Sequence, residues 1–172
     1  MKTFNKTQKK SFIKEEKFIL QLLIDADACP VIDLALSISR GYDIKSTLFC
    51  DTSHRIEREN AITVMVPKGA DSVDFKLVNA INKYDIVITQ DYGLAAMCLA
   101  KGAFVVDQNG REMSSDNIDQ LLAFRYESAK IRRAGGRTKG PKKRTAQNNL
   151  SFEKSFQQIC EKAVSTKAKA EN

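Results

Sequence analysis

The chain has 172 residues, a 42% apolar fraction and a formal net charge of +7, which suits one folded domain with tails and an ordinary buried core. No apolar run is long enough to span a bilayer, and four scattered cysteines with a single histidine make no zinc spacing. The charge is unevenly placed: residues 18–129 carry ten basic against sixteen acidic groups, whereas residues 130–145 carry eight Lys or Arg and no acid. An acidic body with a basic strap suits a protein that handles phosphodiesters, with carboxylates for a metal and cations for the backbone.

Residues 1–17 hold six Lys and two Glu and read as a polar, solvated extension. The basic start runs through a short apolar stretch into Asp25 and Asp27 with no small-residue cleavage pattern, so no leader peptide is expected. Ile19–Ile24 is an apolar run that ends abruptly in Asp25-Ala26-Asp27, and Cys29-Pro30 follows. That is a buried strand, a turn and the start of a helix over Pro30–Arg40, stopped by Gly41. Ile44–Cys50 gives a second strand, with the polar loop Asp51-Thr52-Ser53-His54-Arg55 at its carboxyl end. Thr63–Val66 is a third strand ended by Pro67, and Val73–Tyr84 is a helix that Asp71 or Ser72 could cap. Asp85–Thr89 is strand four, Asp91–Lys101 an alanine-rich helix, and Ala103–Asp107 strand five before an Asn109-Gly110 turn. A helix follows from residues 114–116 to about Ile131. Periodicity breaks over the basic loop 132–149 and returns in a C-terminal helix over Leu150–Val164, leaving 165–172 as a frayed tail. Strands alternating with helices predict a three-layer α/β/α sandwich with a mostly parallel sheet over 18–164.

In such a sheet all strand carboxyl ends share one edge, where ligands bind. Asp25 and Asp27 follow strand one, Asp91 follows strand four, and Asp74 and Asp107 are outer candidates. One aspartate there could be a simple helix cap. Several together repel one another and invite a hard cation, Mg²⁺ or Mn²⁺. Cys29 lies near a helix start, but the carboxylates beside it oppose a thiolate, so it reads as structural.

Asp25-Ala26-Asp27-Ala28-Cys29-Pro30, the segment around Thr52-Ser53-His54, Gly69–Asp74 and Val87–Ala95 together resemble the YaiI/YqxD family of bacterial proteins. Lys101-Gly102-Ala103, Asn109-Gly110 and Gly135–Pro141 fit the same pattern, so the resemblance covers about residues 20–156. The N-terminal extension and Tyr92-Gly93 depart from it. That family resembles PIN-like domains, which are metal-dependent nucleases, and Thr89, Asp91 and Leu94 match a segment shared with them. The resemblance implies a Mg²⁺- or Mn²⁺-dependent nuclease acting on RNA or single-stranded nucleic acid, and the four scattered cysteines, read as reduced thiols, suit the cytoplasm. Asp25, Asp74 and Asp91 fall at the acidic metal positions and Asp27 is a further ligand or water-orienting group, with Asp25, Asp27 and Asp91 as the catalytic set. Ser53 and Thr89 are expected to hydrogen-bond metal waters or phosphate, and Lys139, Lys142, Lys143 and Arg144 to contact backbone phosphates. Two alternatives remain: an RNA-binding module without turnover, and a haloacid-dehalogenase-like phosphatase imitated by Asp25-x-Asp27. The phosphatase lacks its expected follow-on, because Ala28-Cys29-Pro30 stands after the second aspartate.

Overall fold

The computed structural model describes residues 19–69, 72–138, 140 and 142–172. The N-terminal extension, Asp71, Lys139 and Pro141 lie outside the described residues.

Strands β1 (Gln21–Asp25), β2 (Lys45–Asp51), β3 (Ala61–Val66), β4 (Ile86–Ile88), β5 (Phe104–Val106) and β6 (Glu112–Met113) form one sheet in the order β3-β2-β1-β4-β5-β6. All neighbours are parallel except β5 and β6. Six strands therefore stand where five were expected. The extra one is the two-residue edge strand that the Asn109-Gly110 turn folds back on β5, too short to leave a periodic signal. Gly110 is required there: its φ is +83, and a Cβ would stand 2.9 Å from Cβ of Ser155 and 3.0 Å from Cα of Phe152.

The central strands are apolar on both sides because both faces are covered. On β1, Leu22 and Ile24 face one layer with Leu48, Ile86, Ile88 and Val106, beneath helices α1 (Ile32–Gly41) and α5 (Ala146–Ala170). Leu23 faces the other way with Phe49, Val87 and Val105, beneath α2 (Ser72–Ala80), α3 (Tyr92–Ala100) and α4 (Ile118–Arg133). This is the expected three-layer sandwich. Phe152 and Phe156, one turn apart on α5, stack with ring centroids 5.2 Å apart in the fully buried first core. Helix α5 continues to Ala170 where a frayed tail was expected, and α4 reaches Arg133. The basic segment between the two helices thus spans residues 134–145.

Parallel β2 and β3 are joined by residues 52–60 without a helix. Ile56 packs into the first core, Arg58 pairs with Asp33 on α1, and Thr63 donates its hydroxyl to the Ile56 carbonyl. These contacts pin the crossover and its polar beginning, Asp51–His54, beside β1. The chain runs outward from β1 through β2 and β3, then returns across α2 to β4 on β1's other flank. The carboxyl ends of β1 and β4 therefore bound the crevice where the winding reverses, the usual ligand position in an open α/β sheet.

Candidate metal centre

Asp25 is the last residue of β1, in register with Phe49 on β2, and the preceding pair is Ile24 with Ile88. Register alone sets it beside Thr89. The Thr89 hydroxyl donates to Asp25 Oδ2 at 2.8 Å and accepts from the Asp91 N–H at 3.0 Å. Thr89 is buried, so one side chain fixes both the β1 carboxylate and the turn that carries the next one. Burial, opposed by that hydrogen bond and reinforced by Asp74, Asp27 and Asp91, raises the Asp25 carboxyl to about 6.

Asp91 stands at the N-cap of α3. Its Oδ1 accepts from the N–H groups of Gly93 at 2.7 Å and Leu94 at 3.2 Å. Arg125 on α4 adds a two-pronged ion pair, 2.8 Å to Oδ1 and 3.3 Å to Oδ2. Burial raises the Asp91 carboxyl, but the guanidinium and the helix-start amides outweigh it and leave the group below the usual range. The cap role and the site position thus coincide. Asp74, in the first turn of α2, is close enough to push the Asp25 carboxyl upward.

Asp27 does not cap α1, whose N-cap is Val31 with no side-chain bond. Its Oδ2 instead accepts from the Asp51 N–H at 2.9 Å. Its Oδ1 is shielded from solvent and holds no well-directed hydrogen bond, although His54 Nδ1 approaches to 3.0 Å. Asp27, Asp51 and His54 each place a ligand atom within 4.8 Å of the others. The carboxylate edge therefore has a nitrogen donor on its β2 flank, where an oxygen-only set was expected. Asp51, His54 and Arg125 were not singled out from sequence. The signal available for the first pair was the polar loop after strand two; what sequence could not supply was that β2 lies directly beside β1.

The other expected residues fall as follows. Ser53 is exposed and gives its N–H to Asp51 Oδ1 at 2.6 Å. Asp107 organises the turn before β6, accepting from Asn109 and Arg111 N–H through Oδ1. Lys142 and Lys143 are exposed. Arg144 is bound inward, with Nε on Asn149 at 2.7 Å, Nη1 on Asn109 at 3.3 Å and Nη2 on the Asn148 carbonyl at 3.5 Å. Burial pushes the Cys29 thiol up to about 11, which removes it as a nucleophile near neutral pH.

The donor chemistry fits a divalent cation. Asp27, Asp51 and His54 bring ligand atoms within 4.8 Å of one another, burial beside Asp74, Asp27 and Asp91 holds the Asp25 carboxyl upward, and a buried oxygen on Asp27 lacks a directed partner. Fold and site together define a doubly wound α/β protein with aspartates at the carboxyl ends of its central strands, beside the switch point. The family described as "Uncharacterized BCR, YaiI/YqxD family" matches residues 23–162, and the chain belongs to it. A UPF0178 protein of Exiguobacterium sibiricum is 52% identical over 140 residues, covering 81% of this chain and 96% of the relative. One from Ruminiclostridium cellulolyticum is 48% identical over 137 residues, covering 80% and 90%. One from Bacillus cereus (strain Q1) is 42% identical over 140 residues, covering 80% and 96%. No solved structure matches. Among the described residues no helix is long and apolar enough to cross a membrane.

Proposed function

We propose that this protein is a Mg²⁺- or Mn²⁺-dependent phosphodiesterase acting on RNA or single-stranded nucleic acid in the cytoplasm. The observation that supports the reading is the Thr89 hydroxyl at the switch point, which donates to the Asp25 carboxylate and accepts the Asp91 backbone N–H, with the Asp25 carboxyl raised by burial and by neighbouring carboxylates. The resemblance to PIN-like nucleases adds to it. Asp25, Asp27, Asp74 and Asp91 would hold the cation, with Asp51 and His54 as further donors beside Asp27. Such an ion supplies a water of lowered pKa and screens charge developing on a phosphate.

The chain's own residues do the rest. Thr89 orients Asp25, and the Asp51 N–H orients Asp27. Exposed Lys142 and Lys143 supply sequence-independent phosphate contacts. Arg144, committed to Asn109 and the start of α5, anchors the strap rather than adding to that pair.

The test is a single-stranded RNA panel with Mg²⁺ or Mn²⁺ on wild type, Asp25→Asn and the Lys142→Gln/Lys143→Gln double variant. Asp25→Asn should lose at least about a hundredfold in turnover while keeping its RNA affinity. The double variant should bind more weakly, with a salt slope lower by about 1–2. Cleavage that survives Asp25→Asn would defeat the assignment. Salt-dependent binding without cleavage under either metal would instead identify a binding module.

A further inference from the structure

The carboxylate edge already carries a cation of its own. Arg125 reaches from α4 and closes both guanidinium prongs on Asp91, at 2.8 and 3.3 Å. With the Gly93 and Leu94 amides, Asp91 Oδ1 then has three donors, and Oδ2 has one. A divalent ion taking those oxygens would meet the fork in its place. Helix α4 does not depend on this pair for its seat, because Ile118 and Leu121 are buried in the second core with Leu122 packed against it. The Arg125 side chain is about half exposed, at 52%, so it is free to leave Asp91 outward. Asp74 also lies within electrostatic reach of the guanidinium, so a displaced fork would stay over the rim of the cluster.

We propose that Arg125 and the divalent cation compete for Asp91, and that loading the site releases the guanidinium to a phosphate oxygen of the bound strand. The proposal rests on the metal reading above. A planar fork fits carboxylate and phosphate alike, so one side chain can serve both in turn. Before loading, it neutralises a carboxylate that would otherwise repel its neighbours and the nucleic acid. After loading, the cation takes over that task and the positive charge moves to where the strand lies.

The experiment uses the full chain, first without nucleic acid. Mn²⁺ affinity is measured by electron paramagnetic resonance and calorimetry on wild type, Arg125→Gln, Arg125→Lys and Arg58→Gln, the last removing a guanidinium that pairs instead with Asp33 on α1. Loss of a competing unit charge at this range should tighten Mn²⁺ binding about tenfold in Arg125→Gln. Arg125→Lys should fall between, since lysine keeps the charge and loses the fork, and Arg58→Gln should stay within about twofold of wild type. Adding Asp91→Asn to Arg125→Gln should abolish the gain. At saturating Mn²⁺, Arg125→Gln should bind single-stranded RNA several-fold more weakly, with a salt slope lower by about one.

Wild type and Arg125→Gln with equal Mn²⁺ affinity would overturn the competition and leave the metal reading standing. No Mn²⁺ binding by either protein would overturn both. Unchanged RNA affinity and slope in Arg125→Gln would overturn the transfer to phosphate. If Arg125→Gln fails to fold, Arg125→Lys carries the same test, and Mn²⁺ binding no tighter than wild type then counts against the proposal.

Discussion

Two aspartates sit at opposite edges of the same sheet, and burial raises the carboxyl of each. Asp85, ahead of β4, is fully buried and accepts the Gln21 N–H at 3.0 Å through Oδ1 and the Asn82 N–H at 2.8 Å through Oδ2. Asp25, ending β1, has one bond, from Thr89, and its other electrostatic neighbours are Asp74, Asp27 and Asp91. Desolvation is therefore no mark of function by itself. The partners decide: Asp85 is ringed by donors and ties the start of β1 to the turn before β4, whereas Asp25 has the Thr89 donor and three carboxylates for neighbours.

The comparison breaks most visibly at Asp85. Asp85→Ala would strand two backbone N–H groups in a site water does not reach, at about 1–3 kcal/mol each. We expect a loss of about 2–4 kcal/mol in urea unfolding, with cation binding at the far edge unchanged. A loss below about 1 kcal/mol would mean that water replaces the carboxylate and that the two edges differ less than their bonding suggests.

Asp25→Asn should move stability the other way, and pH sharpens the contrast. The folded carboxyl sits at about 6, above the 3.8 ordinary for an aspartate. The folded state thus holds this proton more tightly than the unfolded chain. The resulting stabilisation is complete below about pH 4 and is lost as pH rises through about 6, in the absence of a divalent ion. Asparagine still accepts from Thr89 and cannot ionise. Well above pH 6 the variant should therefore exceed the ion-free wild type by about 3 kcal/mol, with the difference gone by pH 4. Mg²⁺ or Mn²⁺ at pH 7 should raise the melting temperature of wild type and leave Asp25→Asn nearly unmoved. A wild-type curve as flat as the variant's between pH 4 and 7 would remove the case for an electrostatically frustrated carboxylate.

The layer architecture was legible because both periodicities are strong: buried runs such as Leu22–Ile24 and Ile86–Ile88 alternate with helical faces such as Leu34–Ile38. The placement of Asp25 and Asp91 on one edge was legible for the same reason, since Asp25 ends β1, Asp91 closely trails β4, and parallel strands share an edge. What stayed hidden depended on neighbours in space. His54 comes to Asp27 only because β2 pairs with β1, a fact of strand order, which periodicity does not encode. Arg125 lies 34 residues beyond Asp91 on a helix that reads as an ordinary amphipathic surface. Arg144 looked like one more cation of a loose strap, yet its three side-chain bonds join the Asn109 turn to α5. In both arginines the charge was legible and the partner was not.

The smallest effect concerns how the two halves of the carboxylate edge are turned. On the Asp91 side the cap is relaxed, with ordinary extended backbone at φ −86. On the Asp27 side the chain reverses in a turn closed by the Cys29 N–H on the Ala26 carbonyl at 3.2 Å, and Ala28 sits in it at φ +59. A left-handed L-residue costs about 1–2 kcal/mol, and no side-chain hydrogen bond offsets it at an alanine. Glycine would lift that cost but enlarge the unfolded ensemble by about 0.5–1 kcal/mol. Ala28→Gly should therefore raise stability by no more than about 1 kcal/mol. It should also loosen the turn that aims Asp27 at Asp51 and His54, so divalent-cation affinity should fall by a few-fold while the fold holds. The alanine then trades local strain for a stiff turn at the site. A variant that loses more than about 1 kcal/mol would show the left-handed alanine to be unstrained. One that gains stability with cation affinity intact would show that Asp27 needs no stiff turn to hold its aim.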